Sequence, residues 1–126
     1  AFLADPDIEA REASLPEYVP YLGGSRYSLE PRQASYSGVS LQTSRDDLLL
    51  SMIRGNLRYL GQHLEQVSEL VPVNRAVGIS GGAARIRGML AARGRWTGDY
   101  EYRFQDQSSM LGAAMLGCIY QEGGLT

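Results

Sequence analysis

Two adjacent glycines, Gly81 and Gly82, directly follow a short apolar run at residues 76–80. Glycines at the end of a buried strand let a ligand approach the backbone closely. A helix that starts there directs free N–H groups and the positive end of its dipole outward. A nucleotide or a phosphate suits such a place. A tight turn without a ligand produces the same pattern, so the residues alone leave both interpretations open.

The arginines near these glycines bear on the same question. Arg85 and Arg87 fall in the first turns of the predicted helix, where positive charge is mildly unfavourable to the helix dipole. An anionic ligand would relieve this, although two solvated arginines are the commoner explanation. All 12 basic residues are arginine. Because lysine is absent, a Schiff base and a phosphate-loop lysine are both excluded within this chain.

Other reactive side chains are scarce. His63 and Cys118 are the single histidine and the single cysteine, so we expect no metal site and no internal disulfide. One cysteine fits a reducing cytoplasm. His63 lies within a predicted helix, where a surface or packing role is expected. No acidic residue stands out as a general base, and we therefore predict no catalytic residue.

Composition narrows the class of protein. The chain has 126 residues, of which 44% are hydrophobic and 21% charged, as in one soluble globular domain. No apolar run approaches the ~18 residues of a membrane span. A net charge of −2 gives no reason to expect nucleic acid as a partner. The chain begins with Ala1 rather than Met, so we expect it to be a cut or tagged form of a protein.

The first part of the chain, residues 1–43, is predicted to be loop-rich. Residues 1–17 are acidic and loosely helical, and residues 18–42 are rich in Gly, Pro, Tyr and Ser, which indicates a long irregular loop. Ser44, with Asp47 three residues on, predicts a capping box and a helix to about Leu70. The expected apolar face of that helix comprises Leu49, Ile53, Leu57, Leu60, Leu64 and Val67.

The second part, residues 44–126, is predicted to be an α/β segment. After the helix come a strand at residues 76–80, a helix from Ala83 to about Trp96, and a strand at residues 100–104. A last helix should start at Ser108 or Ser109 and run to about Tyr120. Alternation of helix and strand indicates an α/β fold.

Four segments, in order, resemble the C-terminal half of the FGGY carbohydrate kinase family, especially its xylulokinase-like branch. Residues 20–26 (PYLGGSR) resemble a Pro-Tyr-Leu-x-Gly-Glu-Arg-x-Pro segment, and residues 34–54 follow the family's second sequence pattern. Residues 79–85 (ISGGAAR) resemble the adenosine-binding Gly-Gly segment, and residues 111–116 (LGAAML) resemble a stretch of the final helix. The matches extend over nearly the whole chain.

This resemblance implies a partial ribonuclease-H-like C-terminal lobe of the actin-like ATPase type. It implies that Gly81, Gly82 and Ala83 lie against the adenosine of ATP, with Arg85 as a further cofactor-binding residue. The full-length protein would use ATP and Mg²⁺ to phosphorylate a hydroxyl of a ketose or polyol. The family's general base, phosphate loops and sugar-binding lobe match nothing in this chain, so the isolated chain should be inactive.

Some positions depart from the family. Ser25 stands where a glutamate is usual, Arg54 where an acidic residue or glutamine is usual, and Gly94-Arg95 where Ala-Asp is common. They leave open a second reading, a non-catalytic nucleotide-binding or interaction module of the same fold. Another actin-like ATPase would fit the Gly-Gly segment but not residues 21–26. Because a partial lobe exposes apolar surface, we also expect self-association.

Overall fold

A computed structural model describes residues 7–25 and 28–121 and shows a mixed α/β architecture within them. The elements in chain order are α1 (Ile8–Glu12), β1 (Glu17–Val19), β2 (Ser35–Ser37), α2 (Arg45–Leu70), β3 (Ala76–Ile79), a short 3₁₀ helix (Gly82–Arg85), α3 (Met89–Trp96), β4 (Glu101–Phe104) and α4 (Ser108–Gln121). The predicted α/β class is thereby confirmed.

Helix α2 begins at the predicted capping box. The Ser44 hydroxyl accepts a hydrogen bond from the Asp47 amide at 3.1 Å, and the Ser44 amide donates to the Asp47 carboxylate at 2.8 Å. Arg11 also donates to this carboxylate, at 2.7 Å. The hydrogen bond from Arg11, followed by those from Ser44, lowers the pKa of Asp47 to about 2. The cap therefore also ties the start of α2 to α1.

The core lies between three helices and the segment that follows the first. Its buried residues are Ile8, Leu15, Leu50, Leu57, Met89, Ala92 and Trp96. Trp96 also donates its indole N–H to the Glu12 carboxylate at 2.8 Å, which satisfies a polar group that burial would otherwise leave unpaired.

The predicted apolar face of α2 is only partly correct. Leu57 is buried, but Leu60 and Val67 are 38% and 46% exposed, and Leu50 is fully buried instead. The buried stripe includes Arg54 and Gly61. It is displaced from the predicted stripe by about one residue, or ~100° around the helix axis. The positions of the apolar residues predicted the wrong stripe, because the buried stripe contains an arginine and a glycine.

Glycines on α2 allow close backbone contact. A Cβ atom at Gly55 would lie 2.6 Å from the Tyr18 carbonyl oxygen, and one at Gly61 would clash with the Thr97 carbonyl oxygen. Thr97 also donates its hydroxyl to the Leu57 carbonyl at 3.1 Å. As a result, β1 and the end of α3 pack directly against α2.

Arg54 is 3% exposed and binds the segment between α1 and β1. Its guanidinium donates to the Glu12 carbonyl at 3.0 Å, the Pro16 carbonyl at 2.9 Å and the Glu17 carboxylate at 2.9 Å. Burial lowers the pKa of Arg54, and the Glu17 charge opposes that effect. Arg54 thus ties α2 to the backbone of the segment between α1 and β1.

The segment predicted to be irregular contains a small antiparallel sheet. Tyr18 of β1 faces Tyr36 of β2, with ring centres 4.9 Å apart, and the Tyr36 hydroxyl donates to the Leu48 carbonyl at 2.9 Å. Burial raises the pKa of Tyr36. Strands of three residues are too short to show an alternating pattern in sequence.

Strands β3 and β4 form a separate parallel pair, with Ala76 opposite Glu101 and Ile79 opposite Phe104. Both strands and α4 lie close to their predicted positions. Among the described residues of α4 none is buried. Its exposed large apolar residues are Met110, Leu111, Met115, Leu116, Ile119 and Tyr120.

Candidate functional site

The parallel pairing of β3 and β4 brings two loops to the same edge of the sheet. Residues 80–82 follow β3, and residues 105–107 follow β4. The backbone N–H of Gln105 donates to the Ile79 carbonyl at 2.8 Å, which extends the pairing of β3 and β4 to the start of both loops. Ligands of open α/β sheets bind in the crevice outside the carboxyl ends of the strands, so this edge is the candidate site.

The two glycines border open space. A Cβ atom on Gly81 or Gly82 would meet nothing within 4 Å, and both residues are exposed. Gly81 has a φ of +95°, which a residue with a side chain adopts only with strain. Gly82 carries no such constraint. The backbone at Gly82 is therefore open to a ligand for reasons of space, while Gly81 is glycine for reasons of conformation.

The predicted continuous helix after the glycines is wrong. Residues Gly82–Arg85 form one turn of 3₁₀ helix, Ile86 is extended, and α3 begins only at Met89. Gly88 adopts a left-handed conformation with a φ of +84°. A glycine within a helix costs about 1 kcal/mol relative to alanine, so Gly88 was the signal in the sequence that could have revealed the break.

This break weakens the helix dipole that was expected after Gly82. A four-residue turn contributes little dipole, so the positive helix end expected after Gly82 is largely missing. Instead, the 14-residue helix α4 begins at Ser108, immediately after the loop from β4. Gln107 precedes it with a φ of 51°, a rare conformation for a residue other than glycine. No sequence pattern had assigned this helix start to the site.

Arg85 bridges the two loops. Its guanidinium forms an ion pair with the Asp106 carboxylate, and its Cζ lies 5.8 Å from the centre of the Phe104 ring. Both charged side chains remain more than half exposed, so the pair contributes little to stability. Asp106 occupies the place at which an anionic ligand of Arg85 would otherwise bind, and such a ligand would have to compete with it.

The structure brings the predicted site residues to one edge of the sheet. Gly81, Gly82 and Ala83 are all exposed there, and Arg85 lies one turn further along. His63 packs edge-to-face on Tyr59 with ring centres 4.2 Å apart, in line with its expected packing role.

The part of the chain that the structure describes has neither a cluster of metal-ligating side chains nor a helix suited to a membrane span. Within residues 7–25 and 28–121, no three His, Cys, Asp or Glu side chains come together in a way that could hold a metal ion. In the same ranges, no helix combines the length and apolarity required to cross a bilayer.

The fold defined by these elements occurs in a sugar kinase. Neither a protein-family profile nor a curated protein sequence matches the chain. Among solved structures, the xylulose kinase from Rhodospirillum rubrum is similar, with a TM-score of 0.72 and 17% sequence identity. The match covers 98% of this chain and 27% of that kinase chain. The resemblance to a xylulokinase-like protein is thus confirmed at the level of the fold, over about a quarter of the kinase's length.

Proposed function

We propose that this chain is part of the nucleotide-binding lobe of an ATP-dependent carbohydrate kinase. The observation that carries the proposal is the fold shared with a xylulose kinase over 98% of the chain. Four sequence segments that resemble the FGGY kinases, in family order, support it independently. In this proposal the chain is a partial ribonuclease-H-like C-terminal lobe of the actin-like ATPase type.

The adenosine of ATP would lie against Gly81, Gly82 and Ala83. The open space above both glycines supports this assignment, as does their position at the carboxyl edge of two parallel strands. The start of α4 at the same edge would favour a negatively charged group. Arg85 would turn from Asp106 towards the nucleotide.

The complete protein would transfer the γ-phosphoryl group to a hydroxyl of a ketose or polyol. Mg-ATP, when bound, supplies that group, and the protein contributes positioning, charge stabilisation and a carboxylate that takes the hydroxyl proton. No acidic residue of this chain is assigned that last role, so the chain alone should be inactive. A cytoplasmic location would give such an enzyme its ATP.

The alternative is a non-catalytic module of the same fold. Two of the three departures from the family pattern give this alternative little support. Arg54 is a buried partner of backbone carbonyls, and Arg95 pairs with Glu9 at 3.3 Å. Both arginines serve the packing of this chain. Neither replacement therefore indicates that catalysis has been lost.

The test is ADP release by the full-length protein with Mg-ATP and a panel of pentuloses, hexuloses, heptuloses and polyols. We expect turnover with one or a few of these sugars. Gly82→Leu should raise the KM for ATP about tenfold or more with little effect on the KM for sugar, because the new side chain would fill the open space. Gly94→Leu is the matched control, since a Cβ at this exposed glycine of α3 also meets nothing.

The outcomes separate the alternatives. Turnover that depends on Gly82 but not on Gly94 supports the kinase and its nucleotide edge. ATP binding without turnover for any sugar favours the non-catalytic module. If ATP does not bind to the folded protein, both the kinase and the role of Gly81 and Gly82 are wrong.

A further inference from the structure

The ring of Phe104 lies at the glycine edge, which is the end of β3 and β4 that carries Gly81 and Gly82. Phe104 is the last residue of β4 and pairs with Ile79, the last residue of β3. Paired residues of a parallel ladder direct their side chains to the same face of the sheet. Ile79 is 6% exposed, whereas Phe104 is 41% exposed. A large apolar ring therefore remains accessible beside the strand that leads into the two glycines.

Arg85 lies over this ring. Its Cζ is 5.8 Å from the ring centre, near the outer limit at which an aromatic face attracts a cation. The side chain of Arg85 is more than half exposed, and a cation–π contact at an exposed place is weak. The guanidinium therefore occupies space over the Phe104 ring without holding that space strongly.

A nucleotide offers two groups that match these two side chains. When Arg85 turns towards the nucleotide, as proposed above, its guanidinium can pair with a phosphate group and leaves the ring of Phe104. The ring can then stack on the nucleobase, so that a base–aromatic stack replaces the cation–π contact. Space for a flat base is present at the same edge, because a Cβ on Gly81 or Gly82 would meet nothing within 4 Å.

We propose that Phe104 is the stacking platform for the base of the nucleotide, and that Arg85 covers this platform only until the nucleotide binds. The inference rests on the proposed function and deepens it, because it assigns the base to one ring. A phenyl ring has no hydrogen-bonding group for a phosphate or a hydroxyl, but every base has a π face to stack on it. Phe104 should therefore strengthen the binding of different purine nucleotides without choosing between them.

The experiment compares ligands with and without a base in the full-length protein. Titration calorimetry measures the Kd of ATP, ITP and inorganic tripolyphosphate for the unaltered protein and for Phe104→Leu, which keeps an apolar side chain but has no π face. We expect Phe104→Leu to weaken ATP and ITP about tenfold each and to leave tripolyphosphate unchanged. Tyr100→Leu is the matched control, because Tyr100 precedes β4 at the other end of the strand, and it should leave all three unchanged.

A fluorescent variant reports the contact directly. Phe104→Trp adds an indole at the platform, and the natural Trp96 is buried in the core. A base stacked on the new indole should quench its fluorescence, so we expect ATP to quench Phe104→Trp and tripolyphosphate not to. The unaltered protein, in which Trp96 is the single tryptophan, supplies the baseline.

Each other outcome contradicts the platform. It is wrong if Phe104→Leu binds ATP normally, if it loses ATP and tripolyphosphate equally, if it weakens ATP but not ITP, or if ATP does not quench Phe104→Trp. If Gly82→Leu weakens ATP binding and Phe104→Leu does not, the platform is wrong and the proposed nucleotide edge stands. If ATP does not bind to the folded unaltered protein, the proposed function fails and the platform fails with it.

Discussion

A helical half and a strand half of this structure differ in how far their apolar residues are buried. In the helical half, α1, α2, α3 and the segment after α1 supply every member of the core cluster, from Ile8 to Trp96. In the strand half, β3 and β4 form a two-stranded parallel sheet, and none of the described residues of α4 is buried. Parallel sheets are normally covered on both faces. The helical half thus holds the core cluster, although Leu60 and Val67 at the later turns of α2 stay exposed. The strand half presents surfaces suited to cover by further structure.

The largest test of this contrast is a matched pair of leucines. Leu50 is fully buried in α2, whereas Leu116 is 58% exposed in α4. Leu50→Ala should lower the free energy of unfolding by about 3 kcal/mol through lost burial and a cavity. Leu116→Ala should change it by less than about 0.5 kcal/mol. Urea unfolding of the chain measures both.

The same two substitutions, made in the full-length protein, test whether further structure covers α4. There, a covered α4 should make Leu116→Ala cost about 2 kcal/mol or more. Similar small effects in both proteins would mean that α4 remains uncovered and that the proposed lobe does not form around it.

Two helical glycines give the next largest difference. Gly61→Ala should destabilise the chain by about 2 kcal/mol, because the new methyl group would clash with the Thr97 carbonyl. Gly94→Ala, on the open side of α3, should stabilise it by about 0.5–1 kcal/mol through helix propensity. Thermal unfolding distinguishes the two, and equal effects would contradict the close contact of α2 with the end of α3.

The cap of α2 predicts a pH dependence. The pKa of Asp47 is lowered from 3.8 to about 2 on folding, so the carboxylate stabilises the fold above pH ~4. That contribution, about 1–2 kcal/mol, should be lost as the pH falls from about 4 towards 2. Asp47→Asn should remove this part of the pH profile measured by urea unfolding. Asp46→Asn, in the same first turn, should retain it.

The smallest effect on stability is expected at the glycine edge. Asp106→Asn breaks an exposed ion pair and should change the free energy of unfolding by less than about 0.5 kcal/mol. In the full-length protein it should raise ATP affinity a few-fold if Arg85 is a ligand of the nucleotide, because the competing carboxylate is gone. Arg85→Ala should lower that affinity. Titration calorimetry checks both, and unchanged affinity in both variants would remove Arg85 from the site.

Local signals in the sequence were sufficient for several elements. The pattern Ser44-x-x-Asp47 identified the start of α2. The apolar run before Gly81 located β3, and the last helix started where its serines predicted. These features depend on hydrogen bonds and backbone preferences of neighbouring residues, which a sequence displays directly.

Other features came from contacts between distant residues. Arg54 can be buried because the carbonyls of Glu12 and Pro16 accept its hydrogen bonds. No local sequence pattern predicts a buried arginine. The pairing of β1 with β2 and the bridge from Arg85 to Asp106 likewise join residues far apart in sequence. The sequence by itself determined where α2, β3, β4 and α4 lie, since the signals for these elements are local. Only the tertiary structure decided which faces are buried and which side chains meet, because burial depends on the segments that pack from elsewhere in the chain.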